Sequence, residues 1–365
     1  MQKIVRQNKS LFFLTGGLFL IAFLVTAPGC KKNPKVLKDF NQVNLLANND
    51  KYGAVRVDPQ LQNAWGIAFG AGNSIWVSAQ VTGLSEVLDK DGNSVLPSVT
   101  IPGPGDRATG GLPSGQVNNP TSSFKLRNGK PAKFIFVGLD GVISGWNGGA
   151  AAVTAVDDSP SGAEYTGVEI AKDGGANFLY VANFSESTID VYDSTFTEVE
   201  RSFKDPYLPV GYSPFNIRLV GGWLYVEYAK LGPDGHHPDR GAGKGFVDIF
   251  KTDGSFVKRF ISGGALNVPW GITKAPASFF DANMDMGIVS NAILVGNFGD
   301  GRINVYDESG RFIGPIRVKN KPFQVDQLWT ITFAPATSTG LNPDFLYFTG
   351  GPADEADGLF GYITK

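Results

Sequence analysis

The stretch Ala292 to Pro315, AILVGNFGDGRINVYDESGRFIGP, constrains the fold more than any other part of the chain. It contains three short β-prone runs, Ile293 to Gly296, Arg302 to Tyr306 and Arg311 to Gly314, separated by Asn-Phe-Gly-Asp-Gly and Asp-Glu-Ser-Gly clusters. Short runs bounded by turn-forming residues predict β-strands joined by tight connections. With PWGITKAP (Pro269 to Pro276) in front, the unit becomes a four-stranded antiparallel meander. Versions of it recur. Aligned on an aromatic or small residue of the first strand they fall at Trp65, Thr121, Thr166, Phe215, Trp270 and Trp329. Intervals of roughly 45 to 60 residues are the length of one propeller blade, so the chain predicts an all-β fold, a six-bladed β-propeller.

Apolar runs suited to interior strands supply the second strand of each unit: Ser74 to Ser78, Lys133 to Gly138, Asn177 to Ala182, Gly222 to Glu227, Ala292 to Gly296 and Asp344 to Thr349. The last unit ends at Lys365 without a fourth strand, while Phe40 to Leu46 (FNQVNLL) is a spare strand at the other end. The economical expectation is that this N-terminal strand completes the last blade and closes the ring, leaving no edge unpaired. The long insertions Pro102 to Asn119 and Tyr228 to Gly245, and a shorter one around Gly350 to Gly358, project from one end of such a ring. Insertions gathered on one face commonly form the binding face.

Composition excludes several function classes. With Lys+Arg 32 against Asp+Glu 34 and no basic run interleaved with aromatics, no field draws in nucleic acid. One cysteine, Cys30, allows no internal disulfide, and two histidines, His236 and His237, allow no zinc site built from several Cys and His ligands. Any metal would need oxygen ligands.

The first residues read as an export signal: Lys3, Arg6 and Lys9 precede an apolar stretch from Leu11 to Val25, and small residues follow before Cys30. The segment Thr26-Ala27-Pro28-Gly29-Cys30 resembles a bacterial lipobox, which implies residues 1–29 as signal peptide, Cys30 as the lipidated residue and residues 30–38 as a tether. The expected location is then a bacterial cell envelope, with the chain held to membrane by its acylated cysteine. An uncleaved signal anchor is the alternative reading, since the apolar segment approaches the roughly 20 residues of a spanning helix. The propeller is expected over residues 39–365.

From Asp39 onward the chain resembles an uncharacterised family of exported bacterial six-bladed propellers related to NHL-repeat and gluconolactonase-like propellers. The resemblance rests on SPFNI (Ser213 to Ile217), GAGKGFVDIF (Gly241 to Phe250), PWGI (Pro269 to Ile272), GNFGDGRINVYD (Gly296 to Asp307) and LYFTGGPADEADGLFG (Leu346 to Gly361). It implies fold and export and assigns no catalytic role. Gluconolactonase-like propellers hold a divalent metal, usually calcium, at the channel mouth. By that resemblance Asn183, Asn216, Glu227 and Asn297 are candidate ligands, and their oxygens suit Ca²⁺. The competing reading of Asn183 and Asn297 is turn geometry with local hydrogen bonds.

Two further sets complete the candidates. His236 and His237, with Asp239 beside them, could act as general acid or base in opening a lactone or eliminating across an ester. Asp106 and Arg107, in a glycine-rich loop, could reach over the channel and join Asp239 in a binding face. Trp65, Trp270 and Trp329 are expected to pack between blades, with a sugar-stacking role near the channel as the alternative. Two functions follow: an envelope-anchored module binding a protein, glycan or small molecule, or a Ca²⁺-dependent lactonase or hydrolase at the channel mouth.

Overall fold

The structure is a computed structural model, described here over residues 37–280 and 289–365. The expected signal peptide, Cys30 and most of the expected tether lie outside the described residues.

Six antiparallel sheets are arranged as the blades of a propeller. The first blade comprises Ala64–Phe69, Ile75–Ala79, Leu84–Leu88 and Ser94–Thr100. The fourth comprises Tyr212–Val220, Trp223–Lys230, Phe246–Phe250 and Phe256–Ser262, and the fifth Pro269–Lys274, Ile293–Asn297, Ile303–Tyr306 and Phe312–Pro315. In the sixth, Leu328–Phe333, Leu346–Gly350 and Leu359–Thr364 are joined by Asn41–Ala47, which runs antiparallel to Leu359–Thr364 with Asn41 opposite Thr364. Apolar second strands sandwiched between blades account for the buried clusters that link each sheet to the next.

Two sequence expectations need correcting. The second blade begins at Pro113–Asn118, not at Thr121, and the insertion before it holds a small hairpin of Pro102–Gly103 with Arg107–Gly110. The third blade, Tyr165–Asp173, Ala176–Asn183 and Thr188–Tyr192, forms a three-stranded sheet. Its expected fourth strand is reduced to a bridge between Tyr192 and Glu198. Just beyond, Arg201 binds Asp173 at 2.7 Å and the Thr252 carbonyl at 2.8 Å, which draws the segment toward the fourth blade.

First strands surround the axis, and small residues let them approach. A Cβ on Gly66 would lie 2.6 Å from the Ser114 carbonyl oxygen, one on Gly271 2.6 Å from that of Trp329, and one on Gly167 2.9 Å from the Asn216 Cα. Side chains tie neighbouring blades at the same level. Gln116 donates to the Gly66 carbonyl at 2.9 Å, Thr330 to that of Trp65 at 2.8 Å and Asn216 to that of Trp270 at 2.6 Å. The void left on the axis is about 10 Å³.

Candidate functional site at the channel mouth

The tryptophans do not pack between blades. Trp65, Phe215, Trp270 and Trp329 occupy matching positions near the start of four first strands, and there they meet on the axis with Phe184 and Phe298. Trp65 stacks on Trp329 with ring centres 3.5 Å apart and planes at 14°, and Trp270 stands edge-on to Trp329 at 5.9 Å. Two of the indoles are fixed by hydrogen bonds: Trp329 Nε1 donates to Asn63 Oδ1 at 2.8 Å and Trp270 Nε1 to the Thr166 carbonyl at 3.1 Å. The result is a rigid aromatic floor.

Above it lies a cavity of about 450 Å³. Trp65, Trp329, Phe184, Phe215 and Phe298 line it, with Glu164, His236, His237 and Glu355 as its ionisable groups. These four come from three connections that topology places at one end: the link from second to third blade and the second-to-third-strand loops of the fourth and sixth. His236 Nδ1 and Glu164 Oε1 are 2.7 Å apart, as are His237 Nδ1 and Asp234 Oδ2. A carboxylate on Nδ1 places the proton of a neutral imidazole there and leaves Nε2 as an acceptor. Asp234 also accepts from the backbone N–H groups of His237 at 3.0 Å and His236 at 3.1 Å. The bonds from His237, with that from the His236 backbone, hold its carboxyl well below the usual range.

Glu355 is delivered by unusual backbone. Ala353, Asp354 and Glu355 have φ of 59°, 56° and 68°, three consecutive left-handed residues without a glycine. Each such residue costs roughly 1–2 kcal/mol, and strain of this kind persists only where surroundings over-determine it. Those surroundings are visible: Asn63 Nδ2 donates to Glu355 Oε2 at 2.8 Å, Glu355 N donates to Gln327 Oε1 at 2.9 Å, and Gln327 Nε2 donates to Asp354 Oδ1 at 3.2 Å. Arg240, from the histidine loop, lies 3.7 Å from Asp354 Oδ1 and stacks 4.6 Å over the Phe298 ring, latching one loop to the other. Burial raises the Glu355 pKa, against the opposing bond from Asn63 and the charge of Arg240.

The other predicted residues lie elsewhere. Asp106 pairs with Arg127 at 3.5 Å, Arg107 donates to the Pro104 carbonyl at 3.0 Å, and Asp239 is held by Lys244 at 2.5 Å. Asn183 donates to Glu186 and Asp190, each at 2.8 Å, and Asn297 to the Ala265 carbonyl at 2.8 Å and Asp300 at 3.0 Å. Asn216 spends its amide on Trp270, as above. Glu227 is 0% exposed, neither carboxyl oxygen has a partner, and burial pushes its pKa well above the ordinary value. Among the described residues no three His, Cys, Asp or Glu side chains are grouped as metal ligands. With a single carboxylate among the four residues, and Asn183 Oδ1 taken by the Glu164 N–H and the Ser185 hydroxyl, the quartet lacks the anionic oxygens a resident Ca²⁺ draws on, and no step below passes through a metal.

Glu164 escaped the sequence reading because it stands in a short polar connection with no motif around it, and Glu355 because the stretch Leu346 to Gly361 that holds it was read for fold alone. Their only sequence signal is position, in the same kind of inter-strand link as the histidines.

Fold and site together define a six-bladed β-propeller with a packed axis and an aromatic-floored cavity at one end. Two solved structures share the fold: a protein of unknown function from Bacteroides thetaiotaomicron, with TM-score 0.56, 10% identity and coverage of 89% of this chain and 76% of that one, and a streptogramin B lyase, with TM-score 0.50, 12% identity and coverage of 89% and 97%. No family model matches the sequence. The uncharacterised protein R648 of Acanthamoeba polyphaga mimivirus is 32% identical over 345 residues, covering 89% of this chain and 80% of its own length. The chain belongs to the same family as R648. That relative is viral and lends no support to a bacterial origin.

Proposed function

We propose that this protein binds a small, largely apolar molecule over the aromatic floor, and that His236, oriented by Glu164, is the base that accepts a proton from it or from an adjacent water. The observation that carries this reading is the cavity itself, whose volume and mixture of rings with a few convergent polar groups are those of a small-molecule site. The chemistry open to it is that of general acid–base catalysis: His236 Nε2 faces outward as acceptor while Nδ1 is held by the carboxylate. Export and a lipid anchor at Cys30 belong to the same proposal, supported by the basic-then-apolar N-terminus.

The floor tryptophans report on occupancy, so the test is intrinsic fluorescence titrated with a panel of small lactones, esters and amines. Saturable quenching that disappears in Trp329→Ala, followed by turnover of a bound ester that is lost in His236→Gln, is the expected result. A panel that leaves the fluorescence unchanged removes the reading.

A further inference from the structure

The polar atoms at the cavity wall with spare capacity are acceptors. Glu164 Oε1 is engaged by His236 and Glu355 Oε2 by Asn63, so each carboxylate has a second oxygen to offer, and both imidazoles offer Nε2. The donors nearby are already committed or shut away: Trp329 Nε1 is bonded to Asn63, and the unpartnered Trp65 Nε1 is itself buried. The floor adds aromatic rings, whose faces carry negative electrostatic potential and attract cations; both faces of Trp329 are taken, by Trp65 at 3.5 Å and Phe298 at 4.2 Å, which leaves the surrounding phenylalanines. Arg240 shows the pairing on a small scale, since its guanidinium rests on Phe298 beside the Asp354 carboxylate.

We propose that the cavity takes an organic cation, a protonated or quaternary amine, with its substituents against the apolar wall of Phe184, Phe215 and Pro238 and its charge opposite Glu355 and Glu164. This rests on the small-molecule reading above and names its ligand class. The strained turn then has a purpose, because a carboxylate carried on a freely hinged loop would lose its approach to the rings. The titratable and charged groups facing Glu355 are Asp354 on its own turn and Arg240 and His237 from the fourth-blade loop, with Glu164 and His236 also at the cavity.

The experiment compares choline with its neutral isostere 3,3-dimethylbutan-1-ol on the full-length protein, by calorimetry and tryptophan fluorescence at pH 7.5. Choline is expected to bind at least about tenfold more tightly, the scale of a partly desolvated cation–π contact reinforced by charge. Glu355→Gln should weaken choline by about tenfold and leave the isostere unchanged, with Glu164→Gln as a second variant should the first fail to fold. Equal affinity for both probes, or an unchanged choline affinity in the folded variants, overturns the proposal. Neutral lactones or esters that quench the floor tryptophans while choline does not would remove the cation and keep the small-molecule reading. A protein that binds no member of either set loses both.

Discussion

Glu227 offers the sharpest test of the interior. Its carboxyl is wholly buried in the fourth blade with neither oxygen partnered, and burial raises its pKa well above that of the unfolded chain. The sign follows from proton counting. Below the unfolded-state range, about pH 4.3, both states hold the proton and the group has no effect. Above it the unfolded chain releases the proton while the folded protein keeps it, so stability falls as pH rises until the folded acid also ionises. One proton retained corresponds to about 1.4 kcal/mol per pH unit, which for a propeller of this size is roughly 2 °C in Tm. Glu227→Gln keeps shape and removes the titration. Scanning fluorimetry of both proteins at pH 5, 6, 7 and 8 should give melting curves that diverge with pH, the variant becoming relatively more stable. Glu86, Asp140, Asp190 and Glu355 are raised by burial as well, and their common slope cancels in the difference. Parallel slopes would refute the argument that Glu227 is held neutral.

Other expectations are simpler. Gly167→Ala pushes a methyl against Asn216 and should cost about 1–3 kcal/mol in denaturant unfolding, as overpacking does. Trp329→Ala removes the ring on which Trp65 stacks and should cost about 3–5 kcal/mol, read by the same assay. Arg240→Ala frees the histidine loop from the sixth-blade turn, so limited proteolysis within 231–245 should accelerate while global unfolding stays within about 0.5 kcal/mol. Tyr165→Phe deletes one of the two phenols that share Asp158, each at 2.7 Å, and should destabilise by about 1 kcal/mol.

Much of the architecture is legible because strand and turn chemistry are local. The second strand of the first blade, expected from Ser74 to Ser78, spans Ile75–Ala79, and the hairpin glycines Gly254 and Gly310 take φ of 90° and 89°. The second blade misleads because Pro113 and Gly115 look like loop residues. Gly115 in fact stands where Gly66, Gly167 and Gly271 stand, at the level where first strands touch, and that alignment would have corrected the start. The site was half legible. The histidines stand out by rarity, but nothing in the sequence says that Glu164 reaches His236, since the pair is 72 residues apart and only the ring of blades joins them. The tryptophans were misplaced for a related reason: periodicity locates a residue along a strand and says little about which side of the strand meets the axis.

The packed axis bears on what kind of device this is. Space for about one water molecule is all that remains between the first strands, and the indoles close it from above. The propeller therefore works as a sealed disc and not as a conduit: nothing that enters the cavity can leave through the opposite face. Whatever occupies the cavity must come and go on the same side, so two occupants compete directly for it. The opposite face is correspondingly free to accumulate substitutions or attachments without any route by which they could feed material to the site.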